Sequence, residues 1–514
     1  MLRKIRIILA LVFFLGVTLL FLDFTGTARH WLGWMAKAQF LPAVLALNAV
    51  AVIALVVITL IFGRIYCSVV CPLGVLQDII AHIGHRGKKH PYHYSREKAV
   101  LRWILLLAFV VLLVLGLVSI ASLIAPYSSY GRIATNLLQP LWLWGNNALA
   151  FLAERADSYA FYSKDVWLRS LPTFIIALIS FVIIGILAWR GGRTYCNTIC
   201  PVGTVLGYLS RLSWFMVYLD KSKCKHCGKC ESHCKSSCID VKSGRVDHSR
   251  CVLCGNCLDY CRFDALHYAH RRPGGGSSTP EGNSRTGQEQ QGASSSRNVT
   301  ASEHPVDQER RSFLIGAGLV TVTAALAQPK KKLDGGLAKI EEKEVPKRVT
   351  SVIPPGALSM EHLSKHCTAC QLCIAECPND VLRPSTDLMH LMTPEMSFER
   401  GACRPECTRC SSVCPTGAIK PISRAEKSST QIGHAVWIAR NCIVETDHKE
   451  CGNCARHCPS QAIEMIAMDP NYPDLKIPAV NEARCIGCGM CEYVCPVRPL
   501  SAIHVEGHEV HRKI

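Results

Sequence analysis

Six runs of four cysteines dominate this chain, and their spacing is that of metal ligands. Cys224, Cys227, Cys230 and Cys234 are followed by Cys251, Cys254, Cys257 and Cys261 in two Cys-x2-Cys-x2-Cys-x3-Cys runs. Toward the C-terminus stand Cys367, Cys370, Cys373, Cys377; Cys403, Cys407, Cys410, Cys414; Cys442, Cys451, Cys454, Cys458; and Cys485, Cys488, Cys491, Cys495. These four runs all end in Cys-Pro; the second has one extra residue in its first gap and the third opens with a gap of eight. A disulfide framework needs cysteines that tertiary structure brings face to face, whereas here one loop can wrap one cluster. The spacing predicts six [4Fe-4S] clusters, and the chemistry is one-electron transfer. Two further pairs lie in "GRIYCSVVCPLG", 63–74, and "GRTYCNTICPVG", 192–203, which agree at seven of twelve positions. Their thiols, Cys67, Cys71, Cys196 and Cys200, are candidate cofactor ligands that hold a metal or cluster, or cycle between dithiol and disulfide. Cys238, the last of the 29 cysteines, reads as a free thiol. No residue is assigned a catalytic role.

The elements that must position these thiols are membrane helices and small cluster domains. Four apolar segments, Ile7 to Leu22, Leu41 to Phe62, Val100 to Ile124 and Leu171 to Trp189, predict four transmembrane helices. Each thiol pair follows two of them and precedes a short amphipathic run, so residues 1–215 read as a parallel two-helix repeat with both pairs at equivalent ends. A pseudo-two-fold axis would bring the four thiols together, with Pro72 and Pro201 in the first turn of the next helix. The loop after the second segment carries Arg64, Arg86, Lys88, Lys89, Arg96 and Lys98 and reads as cytoplasmic; Pro126 to Ser170 reads as an external loop. The net charge of +18 belongs to this flanking bias, and no nucleic-acid partner is expected. The basic N-terminus "MLRKIR" and first segment read as an uncleaved signal anchor in the bacterial cytoplasmic membrane.

Residues 216–271 form an α+β ferredoxin with two clusters. In such domains three cysteines of one run join the last of the other, giving Cys224, Cys227, Cys230 with Cys261 and Cys251, Cys254, Cys257 with Cys234. Lys235 and Arg262 stand where a proline usually follows the fourth cysteine. Residues 272–309, rich in Gly, Ser and Gln, read as a flexible linker. "RRSFLIGAGLVTVTAALA", within 310–332, reads as a twin-arginine-like export signal or a fifth membrane segment. The polyferredoxin of residues 345–514 is then expected outside the membrane and the first ferredoxin inside.

A wire of clusters needs an entry. The chain has no G-x-G-x-x-G after a strand, no P-loop and no C-x-x-C-H, which leaves nicotinamide, nucleotide and covalent haem unsupported. Quinol from the membrane pool is the donor that remains. His30, Trp31 and Trp34 could line its site, but interfacial aromatics are ordinarily anchors and that reading is preferred.

The first 270 residues, with the two "GR-x-YC-x3-CP-x-G" motifs and a ferredoxin ending in "CKSSCID", resemble the NapH-type membrane subunit of periplasmic nitrate reductase systems. From Arg310 on, the chain is similar to the NapG or MauM type of exported ferredoxin, so it resembles a fusion of two proteins. The resemblance implies a quinol dehydrogenase component feeding a periplasmic redox partner, and it implies that Cys67, Cys71, Cys196 and Cys200 matter. The competing expectation is an assembly factor for a metalloenzyme centre; six clusters favour electron transfer.

Overall fold

The computed structural model describes residues 2–85, 92–270, 333–334, 338–339, 341–469 and 472–514. The expected linker at 272–309, the signal-like segment within 310–332, and Arg86, Lys88 and Lys89 lie outside the described residues. The chain divides into two compact units, 1–271 with 343–514, and 272–342. In the second, Leu333–Asp334 pairs antiparallel with Ala338–Lys339.

In the first unit the main helical elements are α1 (Leu2–Leu22), α2 (Ala49–Phe62), α3 (Pro72–His85), α4 (Ala99–Val114), α5 (Pro126–Ile133), α6 (Gln139–Arg155), α7 (Leu171–Gly191) and α8 (Pro201–Ser210), with a further helix at Thr27–Lys37, after α1, and shorter helical segments between the others. Of the four expected spans, α1 and α7 are long and apolar enough to cross a membrane. The other two segments break. Leu47 turns left-handed (φ 52°) and the Asn48 side chain accepts from the Ala51 amide at 3.1 Å, so a new helix starts inside the second segment. Gly116 (φ 77°) stops α4 inside the third. At 14 and 16 residues, α2 and α4 reach only about 21 and 24 Å, short of a hydrocarbon core of about 30 Å.

The stretch expected as an external loop is also largely helical. Pro126 sits in the first turn of α5, whose eight residues are all buried, and a five-residue π-helical stretch, Ala134–Leu138, joins it to α6. Apolar side chains remain exposed on several helices: Ile8, Val12 and Leu15 on α1, Leu107 on α4, Ile179 and Ile186 on α7.

The first cluster domain pairs Phe215–Leu219 with Leu266–His270 and Ile239–Asp240 with Arg245–Val246. The C-terminal cluster domain carries three antiparallel pairs: Leu382–Pro384 with Pro394–Met396, Thr430–Trp437 with Ile503–Lys513, and Ile463–Asp469 with Tyr472–Val480. These two domains are attached to opposite ends of α1. At its first turn Arg3 bonds Asp259 at 3.0 Å. Beyond its last turn Arg409 donates to the Thr25 carbonyl at 2.8 Å, and Arg29 bonds the Ser412 hydroxyl at 2.8 Å. One buried apolar cluster runs continuously from Val252 through Cys67, Cys71, Cys196 and Cys200 to Cys367 and Cys491.

Candidate metal centres

Each regular Cys-x2-Cys-x2-Cys loop winds the same way. The residue before the second cysteine and the one after it both have positive φ: His226 and Gly228, Leu253 and Gly255, Ala369 and Gln371, Gly487 and Gly489. Four of these eight are not glycine, and each costs on the order of 1 kcal/mol of local strain. Such alternation turns successive peptide N–H groups toward one concavity, the arrangement that binds an anionic centre. The two runs with irregular spacing depart from it; Thr408, after Cys407, has φ −119°.

Four cavities are each lined by four or more cysteines drawn from two runs. One has Cys224, Cys227, Cys230 and Cys261; another has Cys251, Cys254 and Cys257 with Cys234. The same exchange recurs in Cys485, Cys488 and Cys491 with Cys458, and in Cys442, Cys451 and Cys454 with Cys495. In the remaining pair of runs, Cys414 lies within electrostatic reach of Cys367, Cys370 and Cys373, and Cys377 of Cys403 and Cys410. Among the described residues no group of three or more Cys, His, Asp or Glu is arranged to hold a single metal ion. Four thiols drawn from two runs around one cavity fit a [4Fe-4S] cluster, which when bound supplies one-electron transfer. The chain adds amide donors to the sulfurs: Ala265 to Cys261 at 3.3 Å, Ala462 to Cys458 at 3.3 Å, Ala502 to Cys495 at 3.4 Å. Such bonds stabilise thiolate charge and raise the potential of a cluster held there.

Cys238 is less isolated than its sequence position suggests. It is buried in the cavity of Cys234 and Cys251, with its Sγ 3.5 Å from the Cys234 Sγ.

Cys67, Cys71, Cys196 and Cys200 are all buried and meet in one cluster. Every position shared by the two motifs has a task there. Gly63 (φ 84°) and Gly192 (φ 62°) end the preceding helices. Each arginine crosses to the other motif: Arg64 Nη2 donates to the Cys196 carbonyl at 3.2 Å, and Arg193 Nη1 to the Cys67 carbonyl at 2.6 Å. Both guanidiniums also approach a sulfur of their own motif at 3.8 Å. Pro72 and Pro201 open α3 and α8. A Cβ on Gly74 or Gly203 would run into the carbonyl of Cys67 or Cys196 and into the crossing arginine. Gly203→Ala is therefore expected to displace Arg64 and lower cofactor retention at this site about tenfold or more, measured as iron bound per chain after gel filtration.

The tyrosines of the motifs point onward. Tyr66 donates to Gln39 Oε1 at 2.9 Å and Tyr195 to the Ile124 carbonyl at 2.8 Å. Tyr127 lies within electrostatic reach of Cys370 and Cys414 on one side and Tyr66 on the other, and Arg132 within reach of Tyr195 and Cys370. On the opposite flank Arg64 donates to the Ser249 carbonyl at 2.8 Å and lies within reach of Cys251. Val252, the four motif thiols, Tyr66, Tyr127 and Cys370 all belong to one buried cluster.

Two features visible in the sequence carry no obvious role there: the arginine that both motifs share, Arg64 and Arg193, and Lys235. Lys235, noted as a missing proline, bonds Asp78 at 2.7 Å while its carbonyl accepts from the Arg193 amide at 2.8 Å. It clamps the first cluster domain to the helices. His30, Trp31 and Trp34 are exposed, in keeping with anchors.

Residues 44–91 and 173–216, which hold the two motifs, match the family described as "4Fe-4S binding domain"; residues 245–267 match a second family of that description, and 449–498 a "4Fe-4S dicluster domain". The methylamine utilization ferredoxin-type protein MauM of Methylophilus methylotrophus is 33% identical over 157 residues, covering 29% of this chain and 69% of that protein. The chain belongs to this ferredoxin-type family. MauM of Methylobacillus flagellatus is 31% identical over 31% of this chain and 70% of its own length. The ferredoxin-type protein NapF of Escherichia coli K12 is 28% identical over 32% of this chain and 90% of its own length. No solved structure matches. The ferredoxin-type family and the repeated [4Fe-4S] domains make this an iron–sulfur electron-transfer protein.

Proposed function

We propose that the chain is a membrane-embedded iron–sulfur protein that takes electrons from quinol and delivers them to a redox protein outside the cytoplasmic membrane, with six [4Fe-4S] clusters in two domains and the four-thiol site joining those domains. In this reading it is a NapH-like membrane part fused to a MauM-like polyferredoxin. The observation that carries it is the attachment of two cluster domains to opposite ends of α1, with the four thiols, Tyr66, Tyr127 and Arg132 buried between them. At 21 residues α1 is about 32 Å long, the thickness of a bilayer core. The apolar side chains exposed on α1, α4 and α7 would face lipid, α1 and α7 would cross it, and the Arg3 end would stay cytoplasmic.

The four motif thiols are read as ligands of a further cluster. A thiolate-ligated cluster is an anion, and burying it requires compensation. Arg64 and Arg193, both fully buried beside the sulfurs, supply that positive charge.

Two measurements test this reading. Anaerobic purification followed by iron and sulfide analysis is expected to give about 24 of each from the six runs, and about 28 with the motif site filled. A value near eight would remove the polyferredoxin from the scheme. A short-chain quinol is expected to bleach the visible absorbance of the clusters in the purified chain. An assembly factor would bind iron and sulfide without that response.

A further inference from the structure

The largest cavity described lies where the helices meet the C-terminal cluster domain, and its lining fits a quinol ring. It has a volume of about 50 Å³, room for several waters by the usual one-probe measure. Thr135 and Asn136 of the π-helical stretch, Gln139 and Leu143 of α6, the segment Lys164 to Arg169, and Cys377 all line it. A π-helical stretch is an uncommon backbone that recurs at functional sites.

One wall is apolar, with Phe24, Pro140, Leu143, Val166 and Trp167. The guanidiniums of Arg383 and Arg400 lie 4.6 and 4.7 Å from the centre of the Trp167 ring. The other wall is polar and largely satisfied by its own bonds. Gln139 donates to the Ala375 carbonyl at 3.2 Å and accepts from Arg169 at 2.9 Å; Lys164 bonds Asp380 at 2.9 Å. Thr135 is the exception. Its hydroxyl is buried and has no hydrogen-bond partner, although leaving such a group unpaired costs about 1–3 kcal/mol. A ligand that brings its own hydroxyl removes that cost. Around the cavity Leu141, Trp142 and Leu168 are exposed, an apolar approach for a lipid-soluble molecule.

We infer that this cavity is the quinol site, which rests on the quinol reading above. A quinol hydroxyl bonds the Thr135 Oγ1, the ring lies against Leu143 and Trp167, and the cysteine at the wall is Cys377, partner of the Cys403 run. In oxidation both O–H bonds of the quinol break. Its two electrons would pass one at a time to a cluster held by Cys377, Cys403, Cys407 and Cys410, the first moving on to the neighbouring cluster of Cys367, Cys370, Cys373 and Cys414 before the second arrives, so that two oxidised clusters together accept the pair. Its two protons leave past the exposed Asp165 to water, and a quinone remains.

The test uses the full chain in detergent and a fluorescent hydroxyquinoline N-oxide as the quinol analogue, whose emission is quenched on binding. Thr135→Val removes only the hydroxyl. It is expected to melt no lower than the native chain and to bind the probe about tenfold more weakly, the value of one lost hydrogen bond. Leu143→Trp fills the cavity and is expected to abolish binding. Both variants should slow cluster bleaching by a short-chain quinol while leaving dithionite reduction unchanged. If quinol bleaches the native chain and neither variant alters probe affinity, this cavity is not the site, and the quinol reading stands. If dithionite reduces the native clusters and quinol does not, the quinol reading falls and takes the site with it.

Discussion

Replacing any one of Cys67, Cys71, Cys196 or Cys200 by Ser will leave the clusters of the two ferredoxin-type domains loaded and will cut electron exchange between those domains by about a hundredfold. The physical reason is the position of the four thiols. They lie in the buried cluster that also holds Val252, next to Cys251, and Cys370, while Arg3 and Arg409 tie the two domains to opposite ends of α1. A serine hydroxyl is a poor ligand for iron–sulfur chemistry, so the cofactor proposed for the motif site would be lost while the other cavities keep their own thiols. Freeze-quench electron paramagnetic resonance after a pulse of reductant checks this, because the two domains then fill at separate rates in the variants and together in the native chain. Equal filling in all four variants would mean that the thiols only cap helix ends. Arg64→Lys belongs to the same experiment. It keeps the charge and loses the fork that reaches the Cys67 sulfur, the Cys196 carbonyl and Asn197 at once. It is expected to slow exchange by about 10–100-fold with all thiols in place.

The cysteine arithmetic was legible because cluster ligation is local. A Cys-x2-Cys-x2-Cys loop closes on itself, and the exchange of the last cysteine between paired runs recurs in four cavities of the described cluster domains. The repeated twelve-residue pattern drew attention to the motif pairs, and their four cysteines do share one buried cluster, although among the described residues no parallel repeat relates the helices around them. Helix ends were not legible from apolar runs. Hydropathy sums over Leu47 and Gly116 without seeing that both adopt positive φ, and so it merged short helices into long ones. The segment 126–170 was misread for a different reason. Its polar residues resemble a solvated loop, yet Arg132 is buried among the carbonyls of Ser122 and Leu123. Asn136 bonds Gln371 at 2.7 Å, Gln139 bonds Ala375, and Lys164 bonds Asp380, all across more than 200 residues of chain. Composition cannot anticipate a partner that far away.

Asp78→Ala will loosen the first cluster domain from the helices, at a cost of about 3–5 kcal/mol, the usual penalty for stranding buried charges. Asp78, on α3, accepts from Arg193 Nε at 2.7 Å, from Arg6 at 3.1 Å and from Lys235 at 2.7 Å. The arginines and the lysine are at most 11% exposed at the side chain, so removal of the carboxylate leaves three cations with little water to replace it. Arg193 is the worst placed, because the same guanidinium holds the Cys67 carbonyl, and its release disturbs the thiol site as well. The pH dependence separates this account from a simple loss of packing. Burial opposes ionisation of Asp78, but the charges of Arg193 and Lys235 outweigh it and hold the carboxyl well below the usual carboxylate range. A carboxyl depressed in the folded chain contributes stability above its unfolded pKa, about 3.9, and loses that contribution only as pH falls toward the folded value. Between pH 8 and 5 the difference between native chain and variant should therefore stay constant. Hydrogen exchange at 192–203 and 235–238, followed at both pH values, gives that difference directly. A penalty that shrinks by half on going from pH 8 to 5 would show that Asp78 is not held ionised, and the clamp between the cluster domain and the helices would need another explanation.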